Sequence, residues 1–165
     1  MKCLLAPVVV VVAALALASC GSSSTLSNDQ FTGLQNQGKQ FAKSMETVGA
    51  DASSCAAGAT AGKGANTPPD LNIVKTCLAN ALGKAQVGLA NIIDYTDNLA
   101  GEVDGTCSSD LKSLTGAMTD VKAIFATAET QARKGDLVKM QSTLKSIKST
   151  DITNAGAAAE KACKS

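Results

Sequence analysis

Six cysteines carry most of the chemistry that this chain offers. Cys20 closes an apolar run and is followed at once by Gly21, Ser22, Ser23 and Ser24. Cys55, Cys77, Cys107 and Cys163 are widely spaced and even in number, which reads as two disulfides in a chain that leaves the cytoplasm. A four-thiolate zinc site normally brings its ligands in pairs two to four residues apart, and no such pair exists here. Cys3 lies in the leader and takes no part.

The other reactive groups are sparse. There is no His, which removes the commonest general base, the commonest metal ligand and the His-dependent catalytic triads. Asp94, Asp97, Glu102, Asp104 and Asp110 crowd one region, but they lack the alternating oxygen ligands and central Gly of an EF-hand loop. They read as a solvated acidic helix end, with Lys161 and Lys164 arriving beside it. Lys139, Lys145 and Lys148 read as the wet side of a helix, and Glu129 and Arg133 as a supporting i,i+4 pair. Ser and Thr are plentiful, yet no Lys or carboxylate dyad stands out to activate one. No catalytic residue, metal site or cofactor is therefore assigned.

The start of the chain explains Cys20. Met1 and Lys2 give a positive start, and Leu4 to Leu17 form an apolar run broken only by Pro7. That run is shorter than the roughly 20 apolar residues a membrane-spanning helix needs, and no positive flank follows it. Leu17, Ala18, Ser19 and Cys20 resemble the lipobox of bacterial prolipoproteins. The resemblance covers only this leading segment. It implies a signal peptide over 1–19, cleavage before Cys20, and a diacylglycerol on the Cys20 thiol with further acylation of the freed amine. Such a protein is lipid-anchored in the cell membrane or outer membrane, facing the periplasm or exterior. Gly21 in place of Asp implies, by the same resemblance, an outer-membrane destination in a two-membrane host. Several acyl chains on one cysteine give lasting attachment, because each buried methylene contributes ~0.8 kcal/mol.

Composition bounds the exported part. Loss of Lys2 from 15 basic residues leaves them equal to the 14 acidic ones, so no electrostatic case for nucleic acid remains. Aromatic residues are 2% of the chain with no Trp, which leaves almost nothing on which bases or sugar rings could stack.

Elements must position these residues. Residues 20–28 read as the lipidated cysteine and a flexible tether, and 29–165 as one helical domain. Phe31, Leu34, Phe41, Met45, Val48, Ala52 and Cys55 recur at heptad spacing, with Gly38 at the one gap. A Gly/Pro-rich break over 58–69 follows. Asp70 caps a second helix with the stripe Leu71, Val74, Leu78, Leu82, Ala85, Leu89, Ile92, Leu99 and Val103. Gly105 ends it, and Ser108, Ser109 and Asp110 are placed as the cap of a third, carrying Leu111, Leu114, Met118, Val121, Phe125, Ala128 and Ala132 to Lys134-Gly135. Asp136 caps a fourth segment with Leu137, Met140, Leu144, Ile147, Ala155, Ala158 and Ala162, broken near Thr150-Asp151.

No stretch alternates with a period of two, so the fold class is all-α, an antiparallel up-down four-helix bundle with two disulfides. In that topology Cys55 and Cys77 share one end, and Cys107 and Cys163 the other. Helix two at 1.5 Å per residue is ~50 Å long, which excludes a bond between Cys77 and either Cys107 or Cys163. The pairing is thus Cys55–Cys77 and Cys107–Cys163. Functionally the chain reads as a non-enzymatic, membrane-anchored envelope module that binds or spaces another envelope protein. A carrier of a small apolar ligand in the bundle interior is the alternative, and an enzyme comes third.

Overall fold

The computed structural model describes residues 25–60 and 70–164. The lipobox, Cys20 and the leader lie outside the described residues, as do residues 61–69 of the Gly/Pro-rich break.

Three long helices form most of the molecule: α1 over Asn28–Thr60, α2 over Leu71–Glu102 and α3 over Gly105–Lys134. The return arm is split into α4, Leu137–Lys145, and α5, Ser149–Cys163. The arrangement is an all-α antiparallel bundle of four arms. α2 packs between α1 and α3, and α3 in turn carries α4 and α5. The backbones of α1 and α5 make almost no close approach, so the bundle is thin along that seam.

The heptad stripe of α1 points inward, with Leu34, Phe41, Met45, Val48 and Cys55 all buried. In α3 the buried positions follow the same three-and-four step from Cys107 through Phe125 to Ala132. The step missing from the α2 stripe is filled by Thr96, which is fully buried. Its hydroxyl donates to the Ile92 carbonyl one turn back at 2.7 Å, so the hydroxyl is not left unpaired in an apolar core.

Helix ends follow local chemistry. Asp70 accepts from the Asn72 amide at 2.9 Å, and Asp136 from the Lys139 amide at 3.1 Å, satisfying donors that a first helical turn leaves open. That bond, with the Lys139 ammonium beside it, holds the Asp136 carboxyl below its ordinary value of 3.8. Gly135 ends α3 at φ 80°, in the left-handed region that glycine enters without strain.

Four expectations need correction. α1 continues through Gly58 to Thr60, because one glycine within a helix costs only ~1 kcal/mol. α3 begins at Gly105, before Ser108, Ser109 and Asp110, and Ser108 instead donates its hydroxyl to the Ala100 carbonyl at 2.6 Å. Leu71, first in the expected α2 stripe, is 59% exposed, since the start of α2 overhangs the core. In α5 the buried residues are Ile152, Gly156, Ala159 and Cys163, whereas Ala158 is exposed and Ala155 and Ala162 are only half-buried. The break at residues 146–148 resets the helical phase by one position, and the bond from Cys163 fixes the new phase.

Candidate functional site

The chain enters the bundle at the end shared by the start of α1, the close of α2, the start of α3 and the close of α5. Ser27 and Gln30 cap α1 reciprocally: the Ser27 hydroxyl accepts from the Gln30 amide at 3.3 Å, and the Gln30 side-chain oxygen accepts from the Ser27 amide at 2.8 Å. The Gln30 side-chain nitrogen donates to Glu102 at 2.5 Å, and the Tyr95 hydroxyl donates to the Gln30 carbonyl at 3.4 Å. Both contacts lock the entry onto α2. Tyr95 fits because position 33 is glycine: a Cβ there would overlap the Tyr95 hydroxyl. Leu26, placed in the tether by its sequence, is buried in the core, so packing reaches at least this residue.

Both disulfides sit at bundle ends. Cys107 and Cys163 bond at the entry end with Cα atoms 4.6 Å apart, and Cys55 and Cys77 at the far end with 5.6 Å. Each bond closes a loop within one half of the molecule, α1 with α2 and α3 with α5. Neither crosses between the halves. Polar ties do: Ser108 on α3 donates to the Ala100 carbonyl on α2 at 2.6 Å, and Glu129 on α3 accepts from Gln86 on α2 at 2.6 Å.

The charged groups single out no reactive centre. Lys161 and Lys164 do share the entry end with Asp94, Asp97, Asp104 and Asp110, but Lys164 pairs with Glu160 at 3.6 Å. Among the described residues no group of three or more acidic or sulfur side chains is placed to hold a metal ion. Lys139, Lys145 and Lys148 are exposed, and Lys139 pairs with Asp136 at 3.2 Å. Among the described residues no helix is long and apolar enough to cross a membrane.

Two concavities stand out among the described residues. A crevice of about 10 Å³ lies between α1, α3 and α5 at the entry end, room for a single water. An open groove of about 520 Å³ runs between α1 and α2, floored by Phe41, Val48 and Gly88 and edged by Gln37, Ser44, Asn91, the charged Lys84 and the exposed Val87.

Sequence reading missed the exposed aliphatics of the far end. Leu71 and Ile73 in the first turn of α2, and Val138 in the first turn of α4, are 59%, 46% and 79% exposed. These first turns are neighbours, because the Lys75 side chain lies over Gly135 in the α3–α4 turn. Leu71 looked like core from its period alone. The signal that separates it is its place in the first turn, above the level at which Cys77 is bonded to α1.

Comparison with known protein families, with curated proteins and with solved structures gave no match. What the chain does must therefore be argued from its own geometry.

Proposed function

We propose that this chain is a membrane-anchored envelope lipoprotein whose bundle is a non-enzymatic spacer, carrying its far end away from the bilayer to meet another envelope protein. The anchor is the Cys20 lipid, and the compartment is the outward side of the cell membrane or the outer membrane. One observation carries the reading. The chain enters at one end of the bundle, and three of the four large aliphatic side chains left exposed among the described residues lie at the other. α2 alone, with 32 residues, sets these ends ~48 Å apart at 1.5 Å per residue.

Other features agree with this role. Disulfides at both ends limit unravelling by constraining the unfolded chain. The charge balance and lack of His argue against nucleic-acid binding and His-based catalysis. The carrier reading asks for an interior cavity, and the water-sized crevice lends it no support.

The test is site-specific photo-crosslinking in the native envelope. A crosslinker at Val138 should give a discrete adduct with another envelope protein, and one at the mid-bundle exposed position Thr119 should not. No adduct from Val138 or from Leu71 would sink the spacer reading.

A further inference from the structure

The seam between α1 and α5 is closed at the entry end by a side chain that belongs to neither helix. Leu26 precedes the α1 cap, yet only 8% of it is exposed. It fills the wedge lined by Leu34 of α1, Leu111 and Leu114 of α3, and Ala159 and Cys163 of α5, leaving about 10 Å³. Leu34, Leu111 and Leu114 are themselves almost wholly buried. Because α1 and α5 barely approach each other, Leu26 covers these leucines where the helices leave a gap, with Phe31 and Gln35 of α1 flanking it. The segment is held on two sides: Leu26 inserts toward α3 and α5, and Gln30 is bonded to Glu102 and Tyr95 of α2.

We propose that Leu26–Gln30 is a strap that closes the bundle at its entry end, so that attachment of the chain and closure of the α1/α5 seam are coupled. Leu26 is six residues beyond Cys20, a reach of at most ~20 Å when extended. Tension along that short connection is passed through Thr25 to Leu26, and withdrawal of Leu26 opens the seam onto Leu111 and Leu114. The mechanical coupling rests on the anchor proposed above, whereas closure by the strap does not.

Amide hydrogen exchange on the mature protein extracted from its membranes in detergent tests the strap, comparing wild type with Leu26→Ser and Leu26→Met. The expected result for Leu26→Ser is about tenfold or greater acceleration in residues 28–36, 110–116 and 155–163, with residues 41–55 and 79–92 unchanged, as for local opening of one unit. Leu26→Met should restore slow exchange. Acceleration confined to residues 26–30 would show that Leu26 closes nothing, and a uniform rise or loss of the fold would make it an ordinary core residue. Either outcome overturns the proposal. The intact mass of the same sample reports separately whether Cys20 carries lipid, so failure of the anchor and failure of the strap are distinguishable.

Discussion

α3 and the arm that returns along it, α4 with α5, are neighbours built on opposite terms. α3 runs 30 residues without a break and buries Leu111, Leu114, Met118, Val121 and Phe125 in regular three-and-four steps. The return arm is interrupted after Lys145, and α5 faces the core with Ile152, Gly156, Ala159 and Cys163. Large side chains hold the first by apolar area. Within the second, α5 presents little area, so the bond from Cys163 to Cys107 contributes a larger share of what fixes that helix. An uninterrupted heptad therefore specifies its own phase, while a broken and Ala-rich arm takes its phase from a covalent partner.

The largest effect should come from that bond. Replacing Cys107 and Cys163 together by Ala removes a closure 56 residues apart in sequence, worth about 4 kcal/mol in the chain-entropy estimate. The Cys55–Cys77 bond spans 22 residues, worth about 3.4 kcal/mol by the same rule. Denaturant unfolding should rank the two variants in that order, and α5 amides should lose protection only in the first. Equal losses with α5 protected in both would break the contrast between the arms.

Phase in α5 can be tested more finely. Ala159→Leu forces extra volume into a buried position and should cost about 1–3 kcal/mol, whereas Ala158→Leu lies on the wet face and should stay within about 0.5 kcal/mol of wild type. A reversed ranking in thermal melts would return α5 to the phase read from its sequence. At the entry end, Gly33→Ala pushes a methyl group into the Tyr95 hydroxyl and should cost about 1–3 kcal/mol, with part regained by adding Tyr95→Phe. No regain in the double variant would mean that the hydroxyl is not the obstacle.

How far the sequence discloses this molecule follows from the same contrast. The stripes of α1 and α3, the caps Asp70 and Asp136 and the stop at Gly135 are legible because each is a local rule acting within one helix. The α5 stripe is not, since a break cancels any count carried over from α4. Counting back from Cys163, which must face Cys107, gives Ala159, Gly156 and Ile152. Leu26 and Leu71 are misread for a shared reason: whether an aliphatic at an element's edge is covered depends on neighbours distant in sequence. At the far end, the groups that could meet a partner become visible only once α2 and α4 are seen to start side by side.

The smallest predicted effect concerns the α4 cap. The Asp136 carboxyl is depressed below 3.8, chiefly by the Lys139 amide and then by the Lys139 side chain. Its support of α4 is present above that value and is lost as pH falls through the lower value it has in the folded chain. The Lys139 amide should therefore begin to exchange faster only below pH 3.8, and in Asp136→Asn its protection should no longer depend on pH in that range. A loss of protection already near neutral pH would assign it to another group.

We propose that this disulfide-braced bundle is carried on a membrane by lipid on Cys20. Non-reducing intact-mass measurement of the protein purified from its own membranes tests it most directly. The expected mass is that of a chain that starts at Cys20, carries a diacylglycerol with one or more further acyl groups, and lacks four hydrogens at Cys55, Cys77, Cys107 and Cys163. A chain with a free Cys20 thiol, or one retaining residues 1–19, would contradict it.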